Sequence, residues 1–254
     1  MESGRILRIP QGSHEWFMAR CGRVTASDVD KVMAFLKRGE KKGGDTEARA
    51  GYKATIVGEI LTGEPNMDGY VTSFMSDGVE NEPYARAAYE VSQDVSVDTV
   101  GFIIHPNIDR SGASPDGLVG NNGGVEVKCP KTKNHIAYML AGELPEEYEP
   151  QVMFNIACAG REWWDFVSFD ARLPLRHQLF IKRVYRNEHR IKEIEEGVMR
   201  FLDEVDATIA KLDRINPQVS LKEALQKSID ALDPALGIQE EDLPAWAREM
   251  RGTL

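Results

Sequence analysis

The sequence predicts an α/β (α+β) protein with one central mixed β-sheet flanked by helices, and three observations carry that expectation. Segments of strand-like alternation stand between segments of helical spacing along most of the chain, which is how a sheet comes to be covered by helices. Ile191, Ile194, Val198, Phe201, Leu202, Val205, Ile209 and Leu212 recur at helical spacing and mark one long amphipathic helix. A chain of 254 residues, 42% apolar and 28% charged, has the composition of an ordinary globular protein. At that length it buries roughly 70–75% of its unfolded surface and needs no staples.

The elements follow in order. Thr25, Ser27 and Asp28 can cap the start of a helix that continues through Val29, Val32, Met33 and Leu36. Residues 37–45 read as a Gly- and Lys-rich loop. A second helix is expected over 48–61 and a third over 78–89. Residues 95–104 read as one strand, closed by the turn His105-Pro106-Asn107. A hairpin follows, then helices over 133–140 and 150–159. Residues 163–169 and 178–185 alternate as strands, before the long helix. Beyond Pro217 the pattern weakens; the tail holding Trp246 is expected to be a short docking helix or partly disordered.

Charge and cysteine content narrow the function classes. The net charge of −10 argues against a nonspecific nucleic-acid binder, since phosphate neutralisation supplies most of that affinity. The acid is unevenly spread, however. Residues 1–50 hold ten Lys/Arg against seven Asp/Glu, and residues 188–254 hold nine against fifteen, so a local basic surface remains open. No run of about 18 apolar residues exists to span a membrane. The N-terminal stretch lacks an apolar signal core, which points to the cytoplasm. Cys21, Cys129 and Cys158 lie far apart, without the paired spacing of a zinc or redox site, and are expected reduced.

The informative stretch is Ser114 to Pro130, SPDGLVGNNGGVEVKCP. Asn121-Asn122-Gly123-Gly124 is a hairpin-loop signal, and residues 125–128 alternate as a strand. Glu126 and Lys128 then share one face while Val125 and Val127 take the other. Folding back at the glycines brings Asp116 opposite Glu126 or one step along. Two readings fit these residues: a plain surface hairpin, or two carboxylates and an ammonium converging as a site for Mg²⁺, a hard cation that keeps waters and takes phosphate.

The wider sequence bears on that choice. S-P-D-G-L, a short hairpin and E-V-K-C-P resemble the core of phage lambda exonuclease and the related viral recombinase (alkaline exonuclease) family, within the PD-(D/E)XK nuclease superfamily. Trp16 to Val29 resembles the family's N-terminal W-x-x-x-R-x-G-x-x-T-A-S block. Gly78 to Arg86 resembles the helix supplying a further acidic residue, and Pro150-Gln151-Val152 resembles its Q-V-Q segment. Four blocks in order span Trp16 to Ala159.

The resemblance implies a PD-(D/E)XK restriction-endonuclease-like core and a role for each matched residue. Asp116, Glu126 and the Val127 backbone carbonyl would be metal ligands, and Lys128 the catalytic lysine. Glu82 would reach a second metal or its water; the plainer reading pairs it with Arg86 on a solvated face. Gln151 would support the nucleophile or scissile phosphate, or be structural. Arg20, Ser27 and Ser114 would bind a 5′-phosphate, with a guanidinium and a helix N-terminus suited to it; Arg20 as surface arginine and Ser27 as helix cap are the alternatives. Met75, beside Phe74, would be a strand-separating wedge, or else a staple of the following helix. His135 is expected to be exposed or phosphate-side, and Trp163-Trp164 to be sheet packing.

The function so implied is a Mg²⁺-dependent 5′-to-3′ exodeoxyribonuclease on double-stranded DNA ends, with two Mg²⁺ per site and Mn²⁺ able to substitute. It would release mononucleotides and leave a 3′ single strand for recombination. A homotrimeric ring, a single-strand annealing protein as partner, and phage or prophage origin in a bacterial cytoplasm belong to the same implication, with no membrane involved. Residues 1–216 would form a single nuclease domain and 217–254 a C-terminal extension, where the sequence departs from the shorter family pattern. The rivals are a structure-specific or restriction-type endonuclease of that superfamily, and a non-catalytic DNA-end-binding module.

Overall fold

The computed structural model describes residues 5–35, 42–67 and 77–215. Residues up to Val205 form one compact unit and Asp206 begins a second, of which only the end of the last helix is described. The expected domain boundary at 217, the tail beyond it, and Phe74 and Met75 lie outside the described residues.

Two sheets organise the first unit. Strands β1 (Ile6–Leu7), β2 (Val24–Thr25), β4 (Phe102–Ile104) and β5 (Ser111–Ala113) form a four-stranded sheet in the order β1-β4-β5-β2. Strands β3 (Val97–Asp98), β6 (Gly117–Val119), β7 (Gly123–Lys128), β8 (Trp163–Phe169) and β9 (Leu179–Tyr185) form a five-stranded one in the order β3-β6-β7-β8-β9. Both are mixed: β2 runs parallel to β5 and β7 parallel to β8, and the other pairs are antiparallel. The expected mixed α/β architecture is present, with two sheets in place of one.

The division has a local cause. The single strand expected over 95–104 is two strands, β3 and β4, in different sheets, and Gly101 sits between them. A Cβ built on Gly101 would lie 2.2 Å from the Ile9 carbonyl oxygen, and its N–H donates to Leu7 O at 3.0 Å. Only glycine allows the chain to cross that close to another backbone.

The helices are α1 (His14–Arg20), α2 (Val29–Val32), α3 (Glu47–Thr62), α4 (Asp77–Gln93), α5 (Thr132–Ala141), α6 (Glu149–Ala159) and α7 (Glu188–Ile215). Ser13 caps α1 by accepting from Trp16 N, and Thr46 caps α3 by accepting from Arg49 N. Gly142 and Gly160 end α5 and α6 in the left-handed conformation. The helix expected from Thr25 is much shorter. A 3₁₀ turn (Ala26–Asp28) precedes the four residues of α2, neither with a side-chain cap, so Ser27 does not head a helix N-terminus.

Strand β7 is the centre of the larger sheet. Val125 and Val127 pack on one face with Ala85 and Tyr89 of α4 and Val167 and Phe169 of β8; complete burial of such a side chain contributes roughly 1.5–3 kcal/mol. On the other face lies α6, where all but Gln151 of the residues from Pro150 to Cys158 are buried. Below the sheet, the buried Asp165 accepts from Tyr89 Oη at 2.7 Å and from Arg183 at 2.7 and 2.8 Å. That network ties α4 to β8 and β9.

The hairpin glycines act differently from the turn reading. Gly123 and Gly124 are inside β7, opposite Val119 and Leu118. The turn is made by residues 120–122, with Gly120 at φ +54°. A Cβ on Gly123 would stand 2.1 Å from the ring of Trp163, and one on Gly124 2.2 Å from that of Trp164. Trp163 and Trp164 are packing residues, as expected; Trp164 is wholly buried and Arg183 stacks on Trp163 at 3.7 Å. Gly124→Ala should therefore cost about 1–3 kcal/mol in urea unfolding through overpacking against Trp164. A loss below about 0.5 kcal/mol, the size of an ordinary surface change, would contradict the close approach.

Candidate active site

The β6–β7 register sets the site. Gly117 pairs with Val125, so the next position outward places Asp116 across from Glu126. Asp116 Oδ2 accepts from Val127 N at 2.6 Å, which clamps the carboxylate at the mouth of the hairpin. Lys128, on the same face of β7 as Glu126, donates to Glu126 Oε1 at 2.6 Å.

Glu126 is only 2% exposed, a burial that an ionised carboxylate tolerates only when its oxygens are satisfied. Helix α6 contributes two donors one turn apart. Gln151 Nε2 reaches Glu126 Oε1 at 2.6 Å, and Asn155 Nδ2 reaches Oε2 at 2.9 Å. Asn155 was not singled out from the sequence, although its i,i+4 spacing from Gln151 on an otherwise apolar helix was the available signal. Its Oδ1 is buried and has no hydrogen-bond partner among the described residues. Tyr148 was missed too: its ring stands 5.2 Å from the Lys128 ammonium and stacks on Phe166.

The electrostatics show a centre short of positive charge. Burial raises the Asp116 carboxyl well above its ordinary range, and the carboxylates of Glu126 and Glu82 push it further. Burial, with Glu82 and Asp116 adding to it, moves the neighbouring Cys129 thiol up to about 11. Burial works against the charge on Lys128, but Glu126 and Asp116 more than offset it and the ammonium is favoured. Glu82 does pair with Arg86, at 2.5 Å, while lying close enough to act on Asp116.

A divalent cation fits this set by its chemistry: hard carboxylate oxygens, mutually repelling, with the Lys128 ammonium bonded to Glu126. Among the described residues no group of three His, Cys, Asp or Glu side chains forms a preassembled cage, so the protein's share would rest on Asp116, Glu126 and backbone oxygen. An open coordination sphere of that kind leaves room for water and phosphate.

A second constellation lies two residues upstream of Asp116. Arg20 Nη1 donates to Ser114 Oγ at 2.9 Å, and its guanidinium stacks on Trp16 at 4.3 Å. Arg20 Nη2 is 3.4 Å from Thr25 Oγ1, which in turn is 3.1 Å from Ser27 Oγ. Arg20, Ser27 and Ser114 are thus gathered, with Thr25, read from the sequence only as a helix cap, as the link. His135 is a correction. It is fully buried, bonded to Ser168 Oγ at 2.7 Å and to the His177 carbonyl at 2.8 Å, because α5 turns that face onto β8. It serves packing and has no exposed or phosphate-side position.

Residues 15–162 match the YqaJ-like viral recombinase domain. No curated protein matches the sequence. The structure is similar to the alkaline exonuclease LHK-Exo from Laribacter hongkongensis. In its complex with dAMP that enzyme is 41% identical with a TM-score of 0.73, over 82% of this chain and all of that one. A second crystal structure of it gives 40% and 0.71 over the same shares. A phage related exonuclease from Haemophilus somnus 129PT, at 16% identity and TM-score 0.53 over 75% of this chain and 96% of that one, shares the fold.

The charge imbalance has a measurable consequence. A carboxyl whose folded pKa lies above its unfolded value binds protons better when folded, so stability falls as pH rises from the unfolded value near 3.9 through the folded one. Metal-free protein at pH 7–8, far above the unfolded value, therefore carries this penalty. Asp116→Asn, which keeps an acceptor for Val127 N, should raise its melting temperature by about 2–4 °C, the shift that roughly 1 kcal/mol makes in a domain of this size. The gain should vanish below about pH 4. A lower melting temperature at pH 7–8 would contradict the repulsion.

Proposed function

We propose a function from one premise: the chain belongs to the family of YqaJ-like viral recombinase domains. It is a nuclease, a hydrolase of phosphodiester bonds with the PD-(D/E)XK-like fold of the alkaline exonucleases it matches. Among the described residues no helix is long and apolar enough to cross a membrane.

Within that class the reading is a Mg²⁺-dependent 5′-to-3′ exodeoxyribonuclease acting on double-stranded DNA ends, with Mn²⁺ a substitute. It releases mononucleotides and leaves a 3′ strand for annealing. The carrying observation is the hairpin mouth itself, where Asp116 faces Glu126, Lys128 closes on Glu126, and Arg20 with Ser114 stands two residues away. That an LHK-Exo structure holds dAMP, a nucleoside monophosphate, supports a mononucleotide product. Work as a homotrimeric ring with a single-strand annealing protein, in the host cytoplasm of a phage or prophage, belongs to the same proposal.

Asp116, Glu126 and the Val127 carbonyl would hold the first cation, with Glu82 toward a second. Bound Mg²⁺ supplies Lewis acidity to the attacking water and to the leaving oxygen. The chain's own groups do the rest. Gln151 and Asn155 fix the Glu126 carboxylate so that it cannot rotate with load. Lys128, hydrogen-bonded to Glu126, would stabilise charge developing on the phosphate. Arg20, Ser27 and Ser114 grip the 5′-phosphate and so fix which phosphodiester enters the centre.

One assay tests the reading. Linear duplex with 5′-phosphate ends should be digested in Mg²⁺, more slowly with 5′-hydroxyl ends, and not in EDTA. Lys128→Ala should lower the rate about 10²–10³-fold, as loss of a charge-stabilising donor does. Arg20→Ala should shrink the preference for phosphate. Cutting of closed circular duplex would instead indicate an endonuclease, and equal rates on both ends would remove the end pocket.

A further inference from the structure

The pocket beside Arg20, about 410 Å³, is lined in part by Thr25, Asp28, Lys31 and Tyr52, and one of these is the wrong sign for an anion site. Asp28 Oδ2 accepts from the Thr25 hydroxyl at 2.9 Å and from the Ser27 hydroxyl at 3.0 Å. Its Oδ1 accepts from Lys31 Nζ at 2.5 Å. The hydroxyls it takes are those gathered next to Arg20. The carboxylate thus meets these donors as a phosphate oxygen would, with an adjacent cation to balance it.

Helix capping does not account for the arrangement. Asp28 stands at the N-cap position of α2, yet its side chain makes no capping bond there. Its side chain is 20% exposed, so the carboxylate keeps contact with solvent in the pocket. Its partners are two hydroxyls and an ammonium, three groups that bind phosphate equally well.

We propose that Asp28 is a specificity-determining residue of the end pocket: a resident carboxylate that holds the Thr25 and Ser27 hydroxyls when no terminal phosphate is present and yields them when one arrives. This rests on the reading of Arg20, Ser27 and Ser114 as the 5′-phosphate pocket. The exchange has a kinetic use. An exonuclease must release and rebind a terminal phosphate at every nucleotide, and a pocket that bound it without competition would lower KM without raising kcat. A built-in competitor keeps the donors ordered while weakening the grip on each end.

The test is equilibrium binding in EDTA, where nothing is cleaved. The full chain is titrated with fluorescent duplexes carrying either 5′-phosphate or 5′-hydroxyl ends, as wild type, Asp28→Asn and Asp28→Ser, each checked by its melting temperature. The ratio of the two affinities isolates the pocket from general electrostatic attraction. Wild type should favour the phosphate. Both variants should raise that ratio by about three- to fivefold, the size of a solvent-screened charge contact, opposite in direction to Arg20→Ala. A wild-type preference that folded Asp28→Asn and Asp28→Ser leave unchanged or reduce overturns this inference alone. Equal wild-type binding of both ends overturns the pocket reading and this inference with it.

Discussion

A carboxylate on an interior strand is the constraint around which the rest of this structure is arranged. Glu126 sits on β7 at the middle of the five-stranded sheet, nearly without solvent. A buried carboxylate without partners costs several kcal/mol. The fold meets that cost from two directions, with Lys128 from the same strand and the paired amides of Gln151 and Asn155 from α6. Helix α6 can bring them because nearly every other residue on it is apolar and buried, which fixes its rotation against the sheet. Position and chemistry are one arrangement here.

The same logic explains how a chain of net charge −10 forms a centre for handling phosphate. Asp116, Glu126 and Glu82 stand where a cation would balance them, while the Arg20 guanidinium and the Thr25 hydroxyl gather at Ser114, two residues before Asp116. The packing beneath the sheet is equally specific. Tyr89 and Arg183 share Asp165, so α4, which carries Glu82 about two turns before Tyr89, is tied to β8 and β9 and cannot slide independently.

Much of this was legible in the sequence, for identifiable reasons. The alternation of residues 125–128 assigns Glu126 and Lys128 to one face, and the hairpin puts Asp116 across from them; period-two patterning and turn residues are local signals. Several features were not local. Gly101 reads as part of a strand until Ile9 is known to pass beside it, and Gly123 and Gly124 read as a turn until the two indoles are in place. Asn155 looks like a solvated helix residue when Glu126 is unseen. His135, adjacent in sequence to a basic stretch, is buried by contacts with Ser168 and His177 more than thirty residues away. The helix expected from Thr25 fails because the chain uses a 3₁₀ turn there, presenting hydroxyls to Arg20 instead of capping a longer helix.

The central claim is that Asp116 and the anchored Glu126 together hold a divalent cation. Calorimetric titration of Mg²⁺ into wild type and Glu126→Gln tests it most directly, because glutamine keeps the shape and one acceptor while removing the charge. Saturable binding is expected in wild type, lost or weakened about 10- to 100-fold in Glu126→Gln at an unchanged fold. Equal Mg²⁺ affinity in the two proteins would contradict it.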